Sequence, residues 1–267
     1  MTRVDDLTTP DGEVQVWCVR LTAGRSLVAR AYSLLSTDER ARANRLRVQD
    51  ARDEFILCRA SLRLLLARSG LGAPTELEFV YGRHGKPALA SRGGATVDFN
   101  VSHSSGLLAC AFVRDCPIGI DIEYQGRIVD CDAIAQRFFS AAELADLLIV
   151  PVSKRSVAFY DCWVRKEAFV KGLGGGLAIP LDAFSITLTP GCLSALVQVR
   201  DSPGEERAWS VHPFAPAVQF SGAVAVRDPQ KSLRIHVVDA STLFTDARDL
   251  SLSPGLTGAW GSPTNIA

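Results

Sequence analysis

The stretch Tyr160-Asp-Cys-Trp163-Val-Arg-Lys166-Glu167-Ala-Phe-Val-Lys171-Gly172 constrains the fold of this chain more than any other. Phe159, Trp163, Val164, Phe169 and Val170 have the apolar spacing of a buried helix. Lys166, Glu167 and Lys171 are nevertheless set into it. Trp163, Glu167 and Lys171 stand at i, i+4 and i+8, so on a helix they share one face and stack turn upon turn. Two readings follow from the segment alone. The charges form a surface ion pair worth about 0.2–0.5 kcal/mol, or they are one wall of a charged site.

The chain's 267 residues suffice for one large domain or two small ones with real cores. Its 29 basic and 29 acidic residues balance, so no global field argues for nucleic acid, although arginines concentrate between Arg40 and Arg68. No apolar run approaches the roughly 18 residues of a membrane helix, and the acidic N-terminus lacks an apolar signal region. A cytoplasmic, monomeric protein without nucleic-acid or membrane partners is therefore expected. The cysteines are odd in number, with no C-x-x-C, and most sit in apolar runs, which reads as buried thiols in a reducing compartment. The four scattered histidines do not complete a zinc site.

Along the chain, Glu13 to Leu21 reads as a strand. Ser36 or Thr37 caps a short arginine-rich helix to about Arg47, and a longer helix runs from about Ala51 to Arg68. Strands are expected at Glu76–Tyr81, from Val97 toward His103, at Leu107–Val113 and at Ile118–Glu123, with a glycine turn at Gly82–Pro87. Helices are expected at Asp132–Phe138 and Ala141–Leu148, the second opened by Ser140 with Glu143 completing a capping box. After the central helix, strands at Phe184–Leu188, Leu196–Arg200, Ala208–Pro213 and Val218–Val226 suggest an antiparallel sheet. From Ala240 to Ala267 the composition suggests a loosely ordered tail in which Leu256 and Trp260 could dock. The class is α+β: one unit over residues 1–116, a second over 117–239, and the tail over 240–267.

Three constellations could carry chemistry. In Gly119-Ile-Asp121-Ile-Glu123 the two carboxylates point to one side of a strand and the isoleucines to the other. Such a pair is either a solvated sheet face or a hard-metal site for Mg²⁺, with Glu167 the obvious third carboxylate. His103, between Ser102 and Ser104, is either a capped core histidine or a phosphate donor with Ser102 beside it. Gly85-Lys86-Pro87 is an ordinary turn or a close approach to a ligand, and it is not a Walker A loop. A G-x-S-x-G elbow is absent, which disfavours nucleophilic acyl transfer.

In order, GKPAL, FNVSHS, IGIDIE, RFFSAAEL and WVRKEAFVKGLGGGL resemble the Sfp-type 4′-phosphopantetheinyl transferases from about Arg40 to Leu188. The resemblance implies a pseudo-dimer of two similar α+β subdomains with the active site between them. It implies transfer of the phosphopantetheine arm of coenzyme A to a serine of an apo acyl or peptidyl carrier protein, with 3′,5′-ADP released. Asp121, Glu123 and Glu167 would hold Mg²⁺, or Mn²⁺ in its place. Lys171 and His103 would neutralise phosphate oxygens, while Lys86 and Ser102 would help seat coenzyme A. Lys166 would add a second phosphate contact and Arg52 would meet the adenosine 3′-phosphate. Glu167 would hold metal, or also take the serine proton. The alternatives weighed are another Mg²⁺-dependent phosphate-transfer or nucleotide-hydrolysing enzyme, and a non-catalytic scaffold.

Overall fold

A computed structural model describes residues 12–90, 97–187, 196–200 and 204–246. In chain order the elements are β1 (Glu13–Arg20), α1 (Arg25–Ser33), α2 (Thr37–Arg45), α3 (Gln49–Arg68), β2 (Phe79–Tyr81), β3 (Pro87–Leu89), β4 (Val97–Ser104), β5 (Leu107–Arg114) and β6 (Ile118–Tyr124). There follow α4 (Cys131–Phe138), α5 (Ala141–Ile149), α6 (Val152–Leu173), β7 (Phe184–Ile186), β8 (Leu196–Val199), β9 (Ser210–Phe214), β10 (Phe220–Val226), β11 (Ser232–Asp239) and α7 (Ala240–Asp246). The chain is α+β, as its sequence pattern indicates.

Two sheets face each other. The first has the order β11-β1-β5-β4, with β11 parallel to β1 and the other pairs antiparallel. The second is β6-β10-β9, wholly antiparallel. β5 reads Leu-Leu-Ala-Cys-Ala-Phe-Val because both of its faces are covered. Leu108, Cys110 and Phe112 pack with Trp17 and Val19 against Leu62, Leu65 and Leu66 of α3. Ala109, Ala111 and Val113 pack with Val14 and Val16 against Ile118, Ile120 and Ile122 of β6 and Val224 and Val226 of β10. The outer face of the second sheet, through Ala223, Ala225 and Val211, receives Val164, Ala168 and Phe169 of α6. The layers run helices, sheet, sheet, helix.

Local chemistry accounts for the helix starts. Both Ser36 with Glu39 and Ser140 with Glu143 form capping boxes, satisfying first-turn N–H groups that have no intrahelical partner. α6 ends where Gly174 takes φ +72°, a left-handed cap that glycine adopts without a Cβ clash.

Several expectations change. The strand expected over Glu76–Tyr81 shrinks to β2, because Pro74–Glu76 turns as a short 3₁₀ helix. The single antiparallel sheet expected after the central helix is divided. β9 and β10 extend β6, while β7 and β8 make a separate ribbon. β11, in the stretch assigned to the second unit, crosses back to pair with β1. The expected tail begins with a helix instead. α7 buries Leu243 and Phe244 completely, and Arg68 donates to the Leu243 carbonyl at 2.9 Å. Two apolar side chains on one turn suffice to dock a short helix that composition alone reads as loose. Leu256, Trp260 and Cys192 lie outside the described residues. Among the described residues all six cysteines are free thiols, and no helix is long and apolar enough to cross a membrane.

Candidate active site

Two glycines bring the acidic strand against the charged helix. A Cβ on Gly119 would collide with the Ala168 carbonyl and the Gly172 backbone, and a Cβ on Gly172 would meet the Trp209 ring. Without side chains at these points, β6 lies directly along α6. Alternation then turns Asp121 and Glu123 toward α6, while the isoleucines enter the core between the sheets. Glu167 and Lys171, one turn apart, meet them from the helix.

β4 and β6 are edge strands of different sheets, and their junction is made by side chains. Asn100 Oδ1 accepts the Ile120 N–H at 2.9 Å, Ser102 Oγ accepts the Ile122 N–H at 3.3 Å, and Ser104 Oγ accepts the Tyr124 N–H at 3.1 Å. The two hydroxyls pass their own protons to the acids: Ser102 donates to Asp121 Oδ1 and Ser104 to Glu123 Oε2, each at 2.8 Å. All three β4 side chains are buried, so these bonds replace water that the edge of β6 would otherwise need.

The cleft beside this junction encloses about 380 Å³ and is lined by Val101, Ser102, His103, Asp121, Glu123, Trp163, Glu167 and Lys171. The Lys171 ammonium donates to Asp121 Oδ1 at 2.6 Å and to Ser102 Oγ at 3.2 Å. Asp121 Oδ2 is buried and has no hydrogen-bond partner among the described residues. Glu167 makes no hydrogen bond among the described residues. Burial pushes its carboxyl above the usual range, the charges of Asp121 and Glu123 add to that, and Lys171 opposes it. Burial raises Glu123 likewise, with Asp121 adding to the shift and Ser104 opposing it. The site thus concentrates more negative charge than the Lys171 ammonium relieves. Among the described residues no three Asp, Glu, His or Cys side chains already stand in metal-binding geometry.

The structure brings Ser102, His103, Asp121, Glu123, Glu167 and Lys171 to one cleft. His103 is half exposed there, its Nδ1 3.7 Å from Glu54 of α3. Three expected residues lie elsewhere. Lys166 is fully buried on the opposite side of α6, where its ammonium donates to both oxygens of Glu143 at 2.7 Å and to the Phe184 carbonyl at 2.8 Å. The adjacent position on a helix turns by about 100°, which takes Lys166 out of the face that Glu167 presents. Lys86 donates to the Ile118 carbonyl at 2.8 Å and the Lys171 carbonyl at 3.0 Å, tying the Gly82–Lys86 turn to the ends of β6 and α6. Burial holds its pKa below the usual lysine value. Arg52 is half-buried, donates to Asn44 at 2.7 Å and does not line the cleft.

The sequence reading does not include Asn100 and Ser104 as parts of the junction, while Trp163 lines the cleft on the face it shares with Glu167 and Lys171. The signal for the first two was available: Asn100, Ser102 and Ser104 alternate on one strand face next to a strand of alternating acids.

Carboxylates, an ammonium and hydroxyls converging on a cleft between two sheets suit an enzyme that handles phosphate groups. The family model described as the 4′-phosphopantetheinyl transferase superfamily matches residues 117–225. The chain is 34% identical over 222 residues to the 4′-phosphopantetheinyl transferase HetI of Nostoc sp. strain PCC 7120, covering 83% of this chain and 90% of that protein. It is 32% identical over 185 residues to the 4′-phosphopantetheinyl transferase Sfp of Bacillus subtilis strain 168, covering 69% and 80%. The corresponding figures for the 4′-phosphopantetheinyl transferase psf-1 of Bacillus pumilus are 29%, 83% and 91%. This chain belongs to the 4′-phosphopantetheinyl transferase superfamily and is a transferase of that kind.

Proposed function

We propose that the protein transfers the 4′-phosphopantetheine group of coenzyme A to a serine hydroxyl of an apo acyl or peptidyl carrier protein, releasing 3′,5′-ADP, and that the reaction depends on Mg²⁺. The observation that carries this reading is the crowding of Asp121, Glu123 and Glu167 on one cleft, with Asp121 Oδ2 buried and unpartnered among the described residues. A buried carboxylate oxygen without a donor is costly, and a hard divalent cation satisfies it. The donor set therefore fits Mg²⁺ or Mn²⁺ held by these three residues. When bound, such an ion neutralises pyrophosphate oxygens and stabilises charge gathering there in the transition state.

The remaining chemistry falls to side chains. Lys171 and His103 lie on the same cleft and face the charge that develops on the leaving phosphate. Ser102, bonded to both Lys171 and Asp121, fixes the ammonium relative to the acids. The incoming serine oxygen attacks the β-phosphorus, the bond to the α,β-bridging oxygen breaks, and 3′,5′-ADP departs with that electron pair. The serine proton passes to Glu167, directly or through water. Lys86 serves the coenzyme indirectly, by fixing the chain ends that carry Asp121 and Lys171. To meet the adenosine 3′-phosphate, Arg52 at the start of α3 would exchange its bond to Asn44.

Incubating the chain with coenzyme A, Mg²⁺ and a panel of apo carrier proteins tests the reading. A carrier serine gains about 340 Da, as a covalent phosphate-bearing modification. The reading fails if no carrier is modified while nucleotides alone release phosphate.

A further inference from the structure

We propose that Ser104 is a positioning residue that aims Glu123 at the divalent cation, an inference that rests on the metal-dependent reading above. Ser104 Oγ accepts the Tyr124 N–H at 3.1 Å, and this directs its own proton to Glu123 Oε2 at 2.8 Å. The hydroxyl is buried, so water does not substitute for either bond. Arg127, on the exposed side, reaches the same Oε2 at only 3.5 Å. With Oε2 held, Oε1 is the oxygen without a hydrogen bond among the described residues, and it is the one offered to a cation. Ser104 thus treats Glu123 as Ser102 treats Asp121: each hydroxyl takes the N–H following the acid and donates to the acid itself. A ligand carboxylate with one oxygen fixed loses less freedom on binding metal, and such supporting hydrogen bonds typically change affinity by about 10–100-fold.

A role confined to fold stability predicts something different. Asn100 belongs to the same junction and bonds the Ile120 N–H, but among the described residues it makes no hydrogen bond to an acid. It separates the two effects. The experiment titrates Mn²⁺ into the full chain with stoichiometric coenzyme A, reading free Mn²⁺ by electron paramagnetic resonance, with thermal unfolding measured in parallel. Ser104→Ala weakens Mn²⁺ binding about tenfold. Ser104→Thr, which keeps the hydroxyl, restores it. Asn100→Ala lowers the unfolding temperature and leaves the Mn²⁺ affinity of the folded protein unchanged. If Ser104→Ala does not fold, Ser104→Cys fills the same space with a poor donor and shows the same weakening.

Parental Mn²⁺ affinity in Ser104→Ala or Ser104→Cys, beside a loss in Glu123→Ala, overturns the role of Ser104 and leaves the metal-dependent reading standing. Equal weakening in Asn100→Ala also overturns it, since the effect then belongs to the junction as a whole. If the parent itself binds no Mn²⁺, the metal-dependent reading falls and this inference with it.

Discussion

Two lysines five residues apart on α6 show how environment divides one residue type into two jobs. Lys166 and Glu143 have side chains only 0% and 1% exposed, and their bonds to each other, to the Phe184 carbonyl and from the Ile186 N–H leave neither charge unpaired. Burial pulls the Lys166 pKa down and the Glu143 charge opposes that pull. Removing one partner leaves a buried charge alone, so Lys166→Ala should destabilise the fold by about 3–5 kcal/mol in denaturant unfolding. Lys171 pairs with Asp121 at a partly open cleft, where its side chain is 30% exposed and water can replace it. Lys171→Ala should therefore lower kcat/KM for carrier modification by about 10²–10³-fold while costing less stability than Lys166→Ala, since the buried Asp121 keeps the Ser102 hydroxyl as a donor. The reverse pattern in the two variants would mean that the roles have been exchanged. Sequence spacing placed Lys171, Glu167 and Trp163 on one face, and all three line the cleft. It could not place Lys166, because Glu143 lies on another helix and only packing brings the pair together.

At the scale of elements, the contact between β6 and α6 decides whether a site exists. Gly119 is the point of closest approach, and what a methyl there would meet is backbone, which has little room to yield. Gly119→Ala should cost about 3 kcal/mol or more, and weaken coenzyme A binding in whatever fraction remains folded, because β6 must move off the helix. Chemical denaturation and calorimetric titration measure the two effects. Gly172→Ala should also destabilise, since the obstacle is the Trp209 ring, which is buried, packed on Phe169 and bonded to Glu205. The elements themselves were largely legible. β1, α3, β5, β6 and both capping-box helices follow from periodicity and caps, with ends displaced by a residue or two. β11 was not, because an edge strand parallel to β1 is mostly exposed and carries no clear alternation of apolar residues. The partner that stabilises it stands more than two hundred residues away in sequence.

For the whole molecule, the return of the chain to its beginning is the main departure from two consecutive units. β11 pairs with β1, and α7 then packs against α3, so residues near the C-terminus complete the core built by the first hundred. Phe244 is fully buried in that core. Phe244→Ala should therefore destabilise the protein by about 3–5 kcal/mol, the cost of a cavity under a short helix. Loss of transferase activity should follow the unfolded fraction, with kcat per folded molecule retained, because α7 does not line the cleft. A fall in kcat at temperatures where the variant is fully folded would instead couple this end of the chain to the site. Legible in the sequence were the α+β class, the alternation that sets Asp121 and Glu123 on one side of β6, and the helix face shared by Glu167 and Lys171. Each of these depends on periodicity within one element. Which polar groups meet is a matter of packing: Lys171 with Asp121, Lys166 with Glu143, Lys86 with the ends of β6 and α6, and Ser104 with Glu123. Those pairings are set by the contact of β6 with α6 and by an edge-to-edge junction of two sheets. Both arise from packing between residues far apart in the chain, where no local period exists to be read.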